Sequence, residues 1–217
     1  ISIGDSLAAT YGCMGALAAL HHRNATGRGQ VVDSSLYEAV LQVMESLIPD
    51  YAVQGYVRER SGSVLPGVAP SNVYPCADGE FLIGANQDTV VARLCAAMGR
   101  PKLATDARFA THVARGRNQA ELDGIIAEWT RQHAVAEVEA LMEQHGIPAG
   151  RTYTAREMLE DPHFAAREAI IRVEHPRFGA LPMQAPFPKL SATPSSVRSR
   201  APERAGQHNQ EVYGALG

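Results

Sequence analysis

Asp5 is the residue whose position first suggests chemistry. It follows Gly4 and precedes a long run of small and apolar residues that predicts a helix. Its carboxylate would therefore face the free N–H groups and the positive dipole end of the helix, which favour the ionised form that a nucleophile needs. Aspartate is also a common helix cap, and the local sequence alone leaves both interpretations open.

A few other residues are compatible with ligand binding. Arg28 lies in the turn Thr26–Gly29, where a phosphate or acidic group can approach its guanidinium, although a solvated turn residue fits the same pattern. Gly62 and Gly67 lie on either side of Pro66 in a stretch that predicts either a mobile loop over an active site or a plain linker. The eight histidines form no metal-binding motif, so no metal site is predicted.

The elements that must position these residues begin with helices. The first helix is predicted from Asp5 or Ser6 to Arg23, and a second from Leu36 to Tyr56 after a short strand at Gln30–Val32. A β-hairpin is predicted at 72–75 and 81–85, around the turn Asp78–Gly79. Further helices are predicted at 88–98, 119–132, 135–145, 155–159 and 207–216, and further strands at 170–174 and 180–184.

Composition excludes several classes of function. The net charge of −3 and the pI near 6.3 give no excess of Lys and Arg, so neither a nucleic acid nor an anionic membrane surface is predicted as a partner. No apolar run reaches the roughly 20 residues that span a bilayer. Three cysteines without a C-x-x-C spacing are typical of reduced thiols, which predicts a cytoplasmic location.

These 217 residues lack the short sequence motifs of several common enzyme classes. The sequence contains no G-x-S-x-G elbow, P-loop or G-x-G-x-x-G pattern. It opens on Ile-Ser-Ile-Gly-Asp without an initiator methionine, which leads us to expect a fragment or processed part of a longer polypeptide.

Residues 4–40 together resemble family III CoA-transferases, the group that includes formyl-CoA transferase, carnitine CoA-transferase and α-methylacyl-CoA racemase. The shared pattern is a Gly-Asp pair opening a small-residue helix, an Arg, then Thr-Gly-Arg-Gly-Gln, a short strand and an Asp before the next helix. The resemblance continues through 69–74, 78–80, 145–150, 161–163 and 206–212, and so covers essentially the whole chain.

This resemblance implies a role for Asp5 as the catalytic aspartate, acylated by a donor acyl-CoA and then converted to an aspartyl-CoA thioester. The family's glycine-rich loop over the active site corresponds to residues 61–67, where Gly62 and Gly67 are the glycines. The implied substrates are an acyl-CoA and a small carboxylic acid, with no permanently bound cofactor. Two alternatives stay open: an acyl-CoA racemase or isomerase of the same fold, and an inactive fragment or subunit that needs an upstream partner.

The resemblance also implies the fold, an α/β protein with part of a Rossmann-like large domain and a small α+β domain. Residues 1–56 would belong to the large-domain core, 57–70 to a linker, 71–170 to the small domain and 171–217 to a segment returning to the large domain. The family's N-terminal half, which supplies nearly all CoA contacts, precedes the catalytic aspartate and is absent here. CoA-contacting residues are therefore not assigned, and a homodimer, interlocked as in the family, or a complex with the missing half is expected.

Overall fold

The structure is a computed structural model that describes residues 1–199 and 201–216. The chain divides into two compact units, Ile1–Gly62 and Ser63–Gly217. This division falls inside the stretch 57–70 that the sequence predicts as a linker. The assignment of 1–56 and 171–217 to one common domain stays a prediction, and Arg200 and Gly217 of that return segment lie outside the described residues.

The first unit contains the helices α1 (Ile3–Thr26), α2 (Leu36–Leu41) and α3 (Leu47–Gln54). α1 ends where Gly27 takes a left-handed conformation with φ of 73°, and the Gly27 N–H donates to the Arg23 carbonyl oxygen over 2.8 Å. Glycine adopts this conformation without steric cost, so the turn after α1 follows directly from the sequence.

The chain that follows α1 folds back along it in the antiparallel direction. Val32 lies so close to Gly15 that a Cβ added at Gly15 would be 2.6 Å from Val32 Cγ1. Ser34 lies beside Gly12, and its hydroxyl donates to the Ala8 carbonyl oxygen over 2.9 Å. The small residues of α1 thus let the next segment approach closely, as the sequence predicts.

Two predictions for this unit are wrong. Gln30–Val32 forms no strand, because none of the described strands pairs with it and no ladder of hydrogen bonds exists. The single helix predicted from Leu36 to Tyr56 is two helices, because the chain turns between α2 and α3 and Glu45 has a φ of 55°. The apolar periodicity of this stretch continues across the turn, so the periodicity does not reveal it.

α1 has an unusual surface for so long a helix. None of its described residues is buried within the chain, and Met14 and Leu17 are both more than half exposed. By length and mean hydropathy α1 is also able to cross a membrane, which corrects the expectation that no apolar run has that length. Core helices pass the same test, so this finding does not assign α1 to a membrane.

The second unit is built on a three-stranded antiparallel sheet in the order β1–β2–β3, with β1 at Ser71–Pro75, β2 at Glu80–Gly84 and β3 at Ala149–Arg151. Its helices are α4 (Asp88–Ala97), a 3-10 helix (Pro101–Thr105), α5 (His112–Arg117), α6 (Gln119–Thr130), α7 (Val135–Gln144), α8 (Ala155–Glu160), α9 (Pro162–Ala166) and α10 (Asn209–Gly214). A separate antiparallel hairpin pairs β4 (Ile170–His175) with β5 (Gly179–Gln184).

The core of the second unit lies between the sheet and its helices. β2 alternates as a half-buried strand should, with Phe81 and Ile83 buried and Leu82 exposed. The buried faces of α4, α6 and α7 complete the same apolar cluster. Trp129, the single tryptophan of the chain, belongs to this cluster and is 7% exposed, so its fluorescence reports on this unit.

Most element predictions for this unit are confirmed. The hairpin β1–β2, the helices α4, α6, α7 and α8, and the hairpin β4–β5 all appear within a few residues of their predicted bounds. The final helix is shorter than predicted, at Asn209–Gly214. β3, α5, α9 and the 3-10 helix, each three to six residues long, are absent from the sequence predictions.

Arg115 is a buried charge that joins three parts of the second unit. Its side chain is 1% exposed. The guanidinium donates to the carbonyl oxygens of Ala69, Phe109 and Asn86 over 2.9–3.0 Å, and to Asp88 Oδ1 over 2.6 Å. These partners precede β1, precede α5 and surround the start of α4, so one side chain fixes the loops at this end of the sheet.

We expect Arg115→Met to lower the free energy of unfolding of the second unit by about 3–5 kcal/mol, since each buried acceptor left without its donor costs about 1–3 kcal/mol. The loss arises because three buried or partly buried carbonyl oxygens lose their donor. Denaturant unfolding followed by Trp129 fluorescence measures it. The matched control is Arg131→Met at an exposed position, where a change of less than about 0.5 kcal/mol is expected. Equal effects of the two substitutions would contradict the role of Arg115.

Candidate active site

Asp5 lies in the first turn of α1, at its third residue. The helix starts at Ile3, with Ser2 as the cap residue, so the prediction that Asp5 or Ser6 caps the helix is wrong. Ile3 and Gly4, the two residues before Asp5, are already helical. The carboxylate keeps the expected electrostatic setting, because the first-turn N–H groups of a helix lack intrahelical partners and carry positive partial charge.

Contacts with the following segment hold the start of α1. A Cβ added at Gly4 would lie 3.5 Å from Val40 Cγ2, which places α2 directly beside the residue that precedes Asp5. The neighbouring Ala39 is buried. Asp5 itself is exposed within the first unit, so its carboxylate is accessible to a reactant.

Arg28 also lies on the surface of the first unit. It follows the left-handed Gly27, and its backbone N–H donates to Thr26 Oγ1 over 3.2 Å. The side chain is exposed. This placement fits both interpretations that the sequence leaves open, an approachable anion-binding guanidinium and a solvated turn residue.

The predicted active-site loop contains two glycines in left-handed conformations, Gly62 with φ of 64° and Gly67 with φ of 79°. Around Gly67 the chain forms a β-turn, in which the Val68 N–H donates to the Leu65 carbonyl oxygen over 3.1 Å. Pro66 and Gly67 occupy the two central positions, and the positive φ of Gly67 fits a type II turn. The local sequence Leu-Pro-Gly-Val therefore determines this part of the loop.

Gln119 binds this turn with both ends of its side-chain amide. Its Nε2 donates to the carbonyl oxygens of Leu65 and Val68 over 3.0 and 3.2 Å. Its Oε1 accepts from the Gly67 N–H over 3.0 Å. Gly116 completes the contact, because a Cβ added there would lie 2.6 Å from the Gly67 carbonyl oxygen.

A second anchor holds the loop at Ser63. The Ser63 hydroxyl donates to Asn72 Oδ1 over 2.5 Å, and the Asn72 amide in turn donates to Asp123 Oδ2 over 3.4 Å. The other oxygen of Asp123 accepts from the Tyr74 hydroxyl over 2.5 Å. The loop from Ser63 onward is therefore tied to β1 and α6.

Burial shifts the pKa of both acids in this network. The pKa of the Tyr74 hydroxyl is raised well above its ordinary value, first by burial and then by its hydrogen bond to the Asp123 carboxylate. The pKa of Asp123 is also raised, because burial outweighs the donors Tyr74 and Asn72. Tyr74 therefore stays protonated in the folded unit at pH values where a free tyrosine ionises.

The closing motif 206–212 borders a cavity of about 440 Å³. His208 lines this cavity together with Glu174 and Arg198, and its Nδ1 lies 3.3 Å from Glu211 Oε2. Among the described residues, this cavity included, no three His, Cys, Asp or Glu side chains are grouped closely enough to hold a metal ion.

The predicted site residues are divided between the two units. Asp5 and Gly62 belong to the first unit, whereas Gly67 belongs to the second. Sequence reasoning missed Gln119, Gly116 and Asn72, because their partners are backbone groups or side chains that only the fold brings together. A possible signal was Gly116 itself, since a glycine between two arginines in a helical stretch indicates a close approach.

Comparisons with known proteins agree on one family. The family model described as CoA-transferase family III matches residues 1–209. The succinyl-CoA–D-citramalate CoA-transferase of Chloroflexus aurantiacus is 57% identical over 98% of this chain and 53% of its own length. A succinyl-CoA:mesaconate CoA-transferase of Haloarcula hispanica is 32% identical over 99% of this chain and 54% of its own length.

Solved structures give the same picture of the fold. The crystal structure of a CaiB/BaiF family protein from Brucella suis has a TM-score of 0.75 and 28% identity, and covers 100% of this chain and 56% of that protein. The chain thus spans about half the length of the curated relatives and solved structures that it matches.

We expect Tyr74→Phe to remove a pH dependence of stability. Since the folded pKa of Tyr74 is raised, the unfolded chain releases this proton first, near its ordinary pKa of about 10. The contribution of Tyr74 to stability is complete below that pH and falls as pH rises, by about 1.4 kcal/mol per pH unit. Urea unfolding followed by Trp129 fluorescence from pH 8 to pH 11 measures it in both proteins.

At pH 8 the substitution should lower stability by about 1.5–3 kcal/mol, because a hydrogen bond to a charged acceptor is lost. The difference between the two proteins should then shrink as pH rises above about 10. A difference that stays constant up to pH 11 would show that Tyr74 ionises equally easily in the folded unit.

Proposed function

The chain belongs to CoA-transferase family III, and from this membership we propose that it transfers CoA from an acyl-CoA donor to a carboxylic acid through Asp5. The observation that carries the proposal is the exposed carboxylate of Asp5 in the first turn of α1, within the residues that the family model matches. An accessible carboxylate at a helix start is suited to nucleophilic attack on a thioester.

The proposed reaction proceeds through covalent intermediates on Asp5. The carboxylate attacks the thioester carbonyl, CoA leaves as a thiolate, and an anhydride joins Asp5 to the donor acyl group. The thiolate then attacks the Asp5 carbonyl carbon, which releases the donor acid and leaves an aspartyl-CoA thioester. An acceptor carboxylate reverses both steps and leaves as its CoA thioester, which regenerates free Asp5.

The start of α1 supports these steps electrostatically. Attack on either carbonyl builds negative charge on its oxygen, and N–H groups aimed at that charge lower the barrier. The first turn of α1 offers such groups beside Asp5. Its orientation is maintained by Gly15 against Val32 and by the hydrogen bond from Ser34 to Ala8.

The relatives indicate the class of substrate. The relative from Chloroflexus aurantiacus is named for succinyl-CoA and D-citramalate, and the relative from Haloarcula hispanica for succinyl-CoA and mesaconate. We therefore propose succinyl-CoA as the donor and a small dicarboxylic acid as the acceptor, with citramalate as the first compound to test. Coenzyme A takes part as a substrate in this scheme, with no permanently bound cofactor.

The surface of α1 indicates that more polypeptide completes the site. Met14, Leu17 and Leu20 recur at helical spacing and are all exposed in this chain. Exposed apolar surface of this extent is normally covered. We propose that a second copy, or polypeptide corresponding to the rest of the longer relatives, covers it, and that the complete enzyme acts in the cytoplasm.

We expect Asp5→Asn, in the complete enzyme, to lower CoA transfer from succinyl-CoA by about a thousandfold or more, as for removal of other nucleophiles. The amide keeps the size of the side chain but cannot form the anhydride. Hydroxylamine added with succinyl-CoA should convert Asp5 to its hydroxamate in the wild-type enzyme and leave the variant unmodified. Mass spectrometry of the peptide that contains Asp5 detects this change.

The control is Glu143→Gln, the same carboxylate-to-amide change at an exposed residue near the end of α7, which should leave transfer unchanged. Full transfer activity of Asp5→Asn would refute the proposal. Entry of solvent deuterium at the carbon next to the thioester carbonyl, without CoA exchange, would instead indicate a racemase.

A further inference from the structure

A surface cavity of the second unit combines basic and aromatic side chains. Its volume is about 310 Å³, and it lies between the end of α9 and the segment that follows β5. Three of the lining residues are basic (His163, Arg167 and Lys189), two are aromatic (Phe164 and Phe187), and the others are alanine or proline. None of the described residues that line it is acidic. Mostly apolar walls with a few charged groups are typical of small-molecule sites.

Two contacts hold the walls of this cavity together. The Ala185 N–H donates to the Ala169 carbonyl oxygen over 2.9 Å. The Lys189 ammonium donates to the Arg167 carbonyl oxygen and, over 3.2 Å, to Glu168 Oε2. The segment after β5 is therefore joined at two places to the chain between α9 and β4, so the cavity is formed without a ligand.

Both aromatic residues of the cavity are held in place. The Phe164 ring packs edge-on against the Tyr153 ring, with 5.4 Å between the ring centroids. Phe187 is 89% exposed and lies between Pro186 and Pro188, whose rings restrict the backbone on both sides of it. An exposed ring on a stiff segment is covered by a flat ligand at little cost in conformational entropy.

The basic side chains retain donors for an anion. Within the described chain, the Arg167 guanidinium forms no ion pair and donates no hydrogen bond. The Lys189 ammonium has three donors, of which the Arg167 carbonyl oxygen and Glu168 take two. The Glu168 side chain is 82% exposed, so water screens much of its attraction for Lys189. His163 adds a third positive charge when it is protonated.

We propose that this cavity binds a small phosphate ester that carries one flat apolar ring. Arg167 and Lys189 bind the phosphate, because two permanent cations match an anion with nearly two charges at neutral pH. The ring packs against Phe187 and Phe164. The cavity volume is at the lower end of the range for ligand sites, which limits the ligand to about one ring with its phosphate.

The probe is phenyl phosphate, titrated into the complete enzyme and followed by ligand-observed NMR. Its one ring and one phosphate lead us to expect a Kd of about 1 mM, as for an efficient ligand of this size. Inorganic phosphate lacks the ring and benzyl alcohol lacks the charge, so each should bind about tenfold weaker or less tightly still. Benzoate, with a single negative charge, should also bind more weakly than phenyl phosphate.

Two charge variants locate the phosphate, each with a matched control. Arg167→Gln is compared with Arg131→Gln at another exposed arginine. Lys189→Met is compared with Lys102→Met, because Lys102 is exposed and lies in the same Pro-Lys-Leu sequence. Arg167→Gln and Lys189→Met should weaken both phenyl phosphate and inorganic phosphate about three- to tenfold, whereas both controls should match the wild type.

Two further variants separate the ring from the charge. Phe187→Ala should weaken phenyl phosphate about two- to tenfold and leave inorganic phosphate unchanged, whereas Phe178→Ala, at another exposed phenylalanine, should change neither. Glu168→Gln should tighten both anions about two- to fivefold, because it removes a carboxylate that competes for Lys189. Glu143→Gln is its control and should have no effect.

Absence of saturable binding at concentrations well above the expected Kd would overturn the inference. Binding that neither Arg167→Gln nor Lys189→Met weakens would also overturn it, because the phosphate would then lie elsewhere. Inorganic phosphate, benzyl alcohol or benzoate binding as tightly as phenyl phosphate would refute the ligand class. These titrations contain no acyl-CoA, so their result is separate from the test of Asp5 in CoA transfer.

Discussion

The buried guanidinium of Arg115 is the interaction on which the second unit depends. A charged group with almost no exposure is tolerated only when its donors are satisfied, and here they reach three carbonyl oxygens and the Asp88 carboxylate. One of those oxygens belongs to Ala69, just after the turn that Gln119 holds. The segment that leads into β1 is therefore held by two side chains. Arg115 of α5 binds it from the buried side, and Gln119 at the start of α6 binds it from the exposed side.

The first unit is held together in a different way. The segment after α1 approaches the helix closely at its glycines, and no side chain of α1 is buried. Its long helix has no buried residue, yet Gly15 and Gly12 admit Val32 and Ser34 directly against it. A helix that presents small residues on one side and exposed apolar residues elsewhere is suited to being enclosed by further structure. The proposed nucleophile, Asp5, thus lies on a helix that this chain alone does not bury.

The success of sequence reasoning differed with the range of the interactions involved. The β1–β2 hairpin was predictable because Asp78–Gly79 encodes its turn locally, and α7 was predictable because Gly146, with φ of 60°, ends it. The strand expected at Gln30–Val32 failed because strand formation needs a partner that the described chain does not supply. Arg115 and Gln119 gave no signal, because a lone Arg or Gln in a helical stretch is ordinarily solvated.

Local physics leaves the role of Asp5 undecided, and the role proposed for it rests on family membership. By sequence, a carboxylate at a helix start serves equally as a cap and as a nucleophile; in the structure Ser2 is the cap residue and Asp5 is the third residue of the helix. The family match covers residues 1–209 and so includes Asp5 and the residues around it, which is why we propose the nucleophile. The proposed reaction at Asp5 thus rests on family membership, whereas the fold of the second unit follows from its own residues.

The distribution of thiols across the chain has a practical consequence. Cys13 is exposed on α1, whereas Cys95 is buried and Cys76 is partly buried, and burial raises the pKa of both of these latter thiols. A thiol-reactive dye should therefore attach first to Cys13, which belongs to the first unit, whereas Trp129 belongs to the second. These 217 residues thus carry a donor in one unit and an attachment point in the other, so resonance energy transfer between the two units can be measured without engineered residues.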